Sequence, residues 1–183
     1  MVAITILGIV SAIGLTAYSK AQAIARDGRR KQDIRAIQTA LEIYYQKNNH
    51  YPCVGSTAET SAAGGNWIVD SAAAGTGCGV SGVDAVMNNA YINQMPLDPQ
   101  NTTTAWDDTN QNVKEYFYTT PALGGSCPSQ QGQYYILKTH LENVNDSESC
   151  KNKLYTRCDG LSFCPTGSTE TTGQDALFVI MSQ

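Results

Sequence analysis

The chain has 183 residues, a formal net charge of −4 and only 15% charged residues, against about 25% in an average soluble domain. The acidic balance gives no global case for nucleic-acid binding, and large aliphatic residues are sparse beyond residue 48. A head built from that remainder struggles to form a deep core unaided. Its low charge argues against disorder, which leaves covalent staples. A large enzyme, a coiled coil and a multi-span membrane protein are all disfavoured.

The first 18 residues, MVAITILGIVSAIGLTAY, carry no charge. As a helix they span about 27 Å, slightly short of a ~30 Å hydrocarbon core. Three origins compete. A secretory signal peptide needs a basic region ahead of its apolar run, and nothing basic precedes Met1, although Ala21-Gln22-Ala23 looks like a cleavage site. A plain anchor, with the basic cluster on its C-terminal side, would leave the rest of the chain in the cytoplasm. The third is a basic leader, once present ahead of Met1 and since lost.

Helical character continues past residue 18. Ile34, Ile37, Leu41, Tyr44 and Tyr45 form one apolar stripe at helical spacing. No proline occurs before Pro52, and Asn48-Asn49 ahead of Tyr51-Pro52 is a stop signal. One helix of roughly 47 residues is expected, apolar at one end and amphipathic at the other. Residues 1–47 hold Lys20, Arg26, Arg29, Arg30, Lys31, Arg35 and Lys47 against Asp27, Asp33 and Glu42, a balance of +4 that leaves −8 for the rest. A basic stalk and an acidic head can attract each other between copies of the chain.

Residues 53–90 are small, polar and glycine-rich, and read as loop. A short helix is expected from Val83 to Asn93. Strands are expected at Val113–Thr120, Gln133–His140 and Asp175–Met181. The fold class is α+β: a long N-terminal helix, its apolar half protruding and its amphipathic half packed on a small antiparallel sheet, with disulfide-stapled loops. The expected division is 1–24 (apolar helix half), 25–52 (amphipathic helix half) and 53–183 (head).

The cysteines are Cys53, Cys78, Cys127, Cys150, Cys158 and Cys164. None forms a CxxC pair, so three disulfides in an oxidising compartment is the reading. Oxidised cysteines contradict a cytoplasmic location, and a lost leader removes the conflict. Six cysteines allow 15 pairings. Local closure is the expectation: Cys53 with Cys78, Cys127 with Cys150, Cys158 with Cys164.

The opening run, the stretch from Ala25 to Pro52 and MPLDPQN (Met95 to Asn101) together resemble the type IV pilins and the closely related major pseudopilins of type II secretion. MVAITILGIVSAIGLTAY looks like that family's N-terminal helix without its opening, which would fall immediately before Met1. Thr16 stands where the family commonly has a helix-breaking proline. The resemblance covers 1–52 well and 91–141 moderately. It implies a structural subunit of an extracellular filament. Ile4, Leu7, Ile9, Ile13 and Leu15 would make self-assembly contacts, and Gly8 and Gly14 would give flexibility. Its expected partners are copies of itself, the bilayer before assembly, and, indirectly, an assembly platform and ATPase. Its expected location is the cell surface, with the inner or cytoplasmic membrane before assembly. The alternatives are a type II secretion pseudopilin and a membrane-anchored or secreted binding module. Adhesion, motility, DNA uptake and secretion are not separated by the residues.

No catalytic residue, metal site or cofactor is expected. The two histidines, His50 and His140, complete no triad. Asp98, Asp107 and Asp108 could offer oxygens to calcium, but no spaced DxDxDG loop holds them, and turn chemistry accounts for them. Asn101 and Asn145 begin glycosylation patterns. DNA binding by Arg26, Arg29, Arg30 and Lys31 is conceivable but has no further support.

Overall fold

The computed structural model describes residues 2–52, 60–61, 87–101, 110–120, 132–156, 160, 162, 164 and 173–182; within the first helix, the side chains of residue 2 and residues 9–16 lie outside the described set. The first element, α1, is a continuous helix from Val2 to Asn48, 47 residues long, or about 70 Å at 1.5 Å per residue. Its end follows the predicted signal. Asn49 adopts a left-handed φ of 58°, and its N–H donates to the Tyr45 carbonyl at 2.7 Å. The Asn48 side-chain amide donates to the Tyr44 carbonyl at 2.9 Å. These bonds satisfy carbonyls that the last turn would otherwise leave without partners.

Four antiparallel strands form one sheet in the order β1-β2-β3-β4: β1 (Thr60–Ser61), β2 (Tyr116–Thr119), β3 (Ile136–His140) and β4 (Leu177–Met181). Tyr118 lies opposite Leu137, and Leu137 opposite Ile180. β2, β3 and β4 fall inside the three expected strands but are shorter. The two-residue edge strand β1 was not expected in a polar segment. Of the helix expected from Val83 to Asn93, residues 83–86 lie outside the described set and Met87 is helical, whereas a turn occupies Asn88 to Ile92. There Tyr91 N–H and Ile92 N–H both donate to the Met87 carbonyl, and Asn89 has a φ of 58°.

The helix packs on the sheet through the expected stripe. Ile34, Ile37, Leu41 and Tyr44 are buried against Tyr116, Tyr118, Leu137 and Phe178. Tyr45 is only half-buried and donates its hydroxyl to Gln133 Oε1 at 3.1 Å. Four aromatic hydroxyls in this core are matched to acceptors, as buried polar groups require. Tyr116 donates to Asp33 Oδ2 at 2.8 Å, and Tyr118 to the Pro52 carbonyl at 2.8 Å. Tyr51 and Tyr135 both donate to the Glu42 carboxylate. On the opposite sheet face Phe117, Lys138 and Val179 are also buried, with the Lys138 ammonium 4.3 Å from the Phe117 ring centre.

The disulfide pairing differs from local closure. Cys150 is bonded to Cys164, their Cα atoms 5.1 Å apart. That excludes both Cys127–Cys150 and Cys158–Cys164. The reason is an excursion of the chain after residue 150, turned back on itself by an antiparallel bridge between Thr156 and Ser162. The bridge lies between the two cysteines in sequence and brings the chain after Ser162 back toward the segment that leaves Cys150. Cys53, Cys78, Cys127 and Cys158 lie outside the described residues.

Candidate functional site

Two regions bear on function: the upstream half of α1 and the junction where α1 meets the head. Upstream, Ile4 is 73% exposed and Leu7 67%. Gly8 is exposed, with open space where a Cβ would stand. Ile9, Ile13, Gly14 and Leu15 belong to the same helix, but their side chains are outside the described residues. Ile6, Tyr18 and Ile24 are also exposed and extend the apolar surface beyond the expected contacts. Among the described residues, no helix is long and apolar enough to cross a membrane. The run 1–18, expected to form the span, includes residue 1 and the side chains of residue 2 and residues 9–16, which lie outside the described set.

The junction shows where the cations of the basic cluster lie within one chain. Its cations are paired within their own chain. Arg26 grips the Glu142 carboxylate with two bonds of 2.7 and 2.6 Å. Lys31 pairs with Asp146 and Glu148, and Arg35 reaches Glu148 at 3.0 Å. The more exposed Arg29 sits 3.8 Å from Asp33. This ladder runs along three turns of helix and clamps the segment that follows β3. Arg29 and Arg35 keep more than half of their side-chain surface exposed within it.

Arg30 is the centre of the junction and is fully buried. Its Nε and NH2 donate to Asp98, its NH1 to Asp27 and Glu142, and NH2 also to Gln100 Oε1 at 3.0 Å. Asp27 in turn accepts from the Glu142 and Asn143 backbone N–H groups. A guanidinium suits this role because its planar fork holds several acceptors at once. The charges shape acidity. Hydrogen bonds from Arg26 and then Arg30 outweigh desolvation and hold the Glu142 carboxyl down at about 2. Burial opposes the charge on Arg30, but its carboxylate partners raise its pKa above the usual value. Asp146, although partly desolvated, is held below the ordinary range by Lys31.

The other candidates fall as follows. Asp98 is committed to Arg30, so a guanidinium occupies the carboxylate that could have offered oxygens to calcium; Asp107 and Asp108 are outside the described residues. Among the described residues no group of three His, Cys, Asp or Glu side chains could hold a metal. His140 is buried with Nδ1 3.1 Å from the Val113 carbonyl, and His50 Nδ1 is 2.9 Å from the Tyr51 carbonyl. Asn145 is exposed in a turn where its Oδ1 accepts from Lys151. Asn101 is half-buried, with a φ of 30°. Sequence reasoning missed Arg30 and Asp27 as buried residues. A signal was present, since positions 27, 30, 34, 37, 41 and 44 continue one stripe at alternating steps of three and four. Compared with family models, with curated proteins and with solved structures, the chain finds no match in any of the three.

Proposed function

We propose that this protein is a structural subunit of a type IV pilus-like extracellular filament, assembled through the apolar half of α1. The observation that carries the reading is the division of one unbroken helix. Its downstream half is buried on the sheet, while its upstream half carries exposed Ile4, Ile6 and Leu7. Contiguous exposed apolar surface calls for a partner, and copies of the same helix are the partner of matching chemistry. At about 25 cal/mol per Å2 of apolar area withdrawn from water, lateral packing of such segments is strongly favourable. Gly8 and Gly14 would let neighbouring backbones approach closely. Before assembly the same surface would rest against lipid, and extraction would need an external motor.

The reading is tested by electron microscopy and N-terminal sequencing of material sheared from the cells that make the protein. The expected result is thin filaments composed mainly of this chain, with the apolar helix intact. A soluble monomer beginning after Ala23, with no filaments, would overturn it and favour a secreted binding module. Short filaments confined to the periplasm would favour the pseudopilin alternative.

A further inference from the structure

The segment that leaves β3 for Cys150 is a turn tied together by short-range bonds. The Asp146 N–H donates to the Asn143 carbonyl and the Ser149 N–H to the Asp146 carbonyl, both at 3.0 Å. The Ser149 hydroxyl donates to the Val144 carbonyl at 2.7 Å, and the Glu148 N–H to Asp146 Oδ1 at 2.9 Å. Lys31 on α1 holds Asp146 from the other side. Ser149 and Cys150 are buried by this arrangement, whereas Asn145 and Ser147 stay exposed.

Those two exposed residues are the ends of an Asn-x-Ser pattern, Asn145-Asp146-Ser147, in which the asparagine side-chain nitrogen can accept a sugar. The atoms that matter are uncommitted. The Asn145 N–H donates to Asn143 Oδ1 at 3.2 Å, and Asn145 Oδ1 accepts from Lys151 at 2.8 Å. Asn145 Nδ2 and the Ser147 hydroxyl make no hydrogen bond among the described residues. A substituent on Nδ2 therefore breaks no bond of the fold, and the amide carbonyl that Lys151 holds is kept. Asn101, which begins the other such pattern, is half-buried, and its N–H donates to Asp98 Oδ1 at 3.4 Å in the turn that holds Asp98 on Arg30.

We propose that Asn145 carries an N-linked glycan, its Nδ2 bonded to the anomeric carbon of the first sugar. In the transfer, Nδ2 attacks that carbon of a diphosphate-activated sugar. The carbon–nitrogen bond forms, the carbon–oxygen bond to the diphosphate breaks, the diphosphate leaves with the bonding pair, and the amide loses one proton to a base of the transferase. The glycan rests on export of the chain, which the proposed function also requires, but not on filament assembly. A solvated sugar there stands beside Asp146 and Glu148, whose pairs with Lys31 and Arg35 dock the head on α1, and keeps that face of the junction in water.

The test takes the chain from the cells that make it. After reduction and trypsin digestion, the peptide from Thr139 to Lys151 is weighed and fragmented by electron transfer, which leaves sugars on their residues. A mass increase of whole sugar units on Asn145, with none on Asn143 in the same peptide, is expected. Asn145→Gln and Ser147→Ala should each abolish it, and Ser147→Thr should keep it. An unmodified peptide, or an increase that survives Ser147→Ala, would overturn the proposal. Electron microscopy of the same material separates the two readings. Filaments of unmodified chain would overturn the glycan and leave the filament. A glycosylated soluble monomer would support the glycan and overturn the filament. An unmodified chain retained in the cytoplasm would overturn both.

Discussion

Removing the Arg30 side chain would leave Asp27, Asp98 and Glu142 facing one another around a buried void. Breaking a buried ion cluster by taking out one partner costs about 3–5 kcal/mol, because the remaining charges stay desolvated and uncompensated. Arg35, more than half exposed in its pair with Glu148, belongs to the class of surface pairs worth less than about 1 kcal/mol. Arg30→Ala is therefore expected to lower the urea midpoint far more than Arg35→Ala. Equal midpoints for the two variants would show that the junction tolerates exposed carboxylates. Arg30→Lys should rescue only partly, since one ammonium cannot replace a fork that spans three carboxylates and an amide.

Among the elements, α1 offers the simplest test. Gly28 lies in the helix interior with nothing within 4 Å of an added Cβ, and glycine there costs about 1 kcal/mol relative to alanine. Gly28→Ala should raise the melting temperature by about 2–4 °C for a chain of this size; a fall would mean that residue 28 needs its backbone freedom. The helix and its exit were legible because long-range packing was not needed to specify them. Absence of proline, a 3–4 stripe and Asn49 before Tyr51-Pro52 are local facts. The strands were legible in their aromatic centres, around Tyr116–Tyr118 and Leu177–Val179, but not at their ends, where neighbouring strands decide how far pairing extends. Two features escaped. The partner of Cys150 depends on how the chain turns at 156–162, and the burial of Arg30 depends on carboxylates 68 and 112 positions away. Neither is written in local residue order.

For the whole molecule, the charges define a pH window. The folded-state pKa of Glu142 lies below its ordinary 4.5, at about 2, and Asp146 shifts the same way. A carboxyl lowered by folding contributes stability above its unfolded pKa and loses it as pH falls toward the folded value. Asp33, raised chiefly by burial, works weakly in the opposite sense. Stability measured by denaturant unfolding should therefore drop between about pH 4.5 and 2, and Glu142→Gln should flatten that limb. At the alkaline end Lys114, lowered to about 8, adds stability as pH rises from 8 toward 10.5. Tyr51, Tyr116, Tyr118 and Tyr135, all raised mainly by burial, reverse that gain above about 10. The Glu142→Gln variant retaining the full acid limb would assign the loss to other carboxylates.

For the filament proposed above, the ion-pair ladder from Arg26 to Arg35 has an outcome for cohesion between copies. Because those charges are spent inside each copy, the ladder itself would add little attraction for the next one, and the exposed apolar helix surface would carry the contact between copies. Filaments held that way should survive high ionic strength, since salt screens charges but strengthens or leaves unchanged the withdrawal of hydrocarbon from water. They should instead loosen in the cold and come apart in mild detergent, which offers the exposed isoleucines and leucine another apolar home. Dissociation by salt at constant temperature, followed by light scattering, would show that charges other than these bind one subunit to the next.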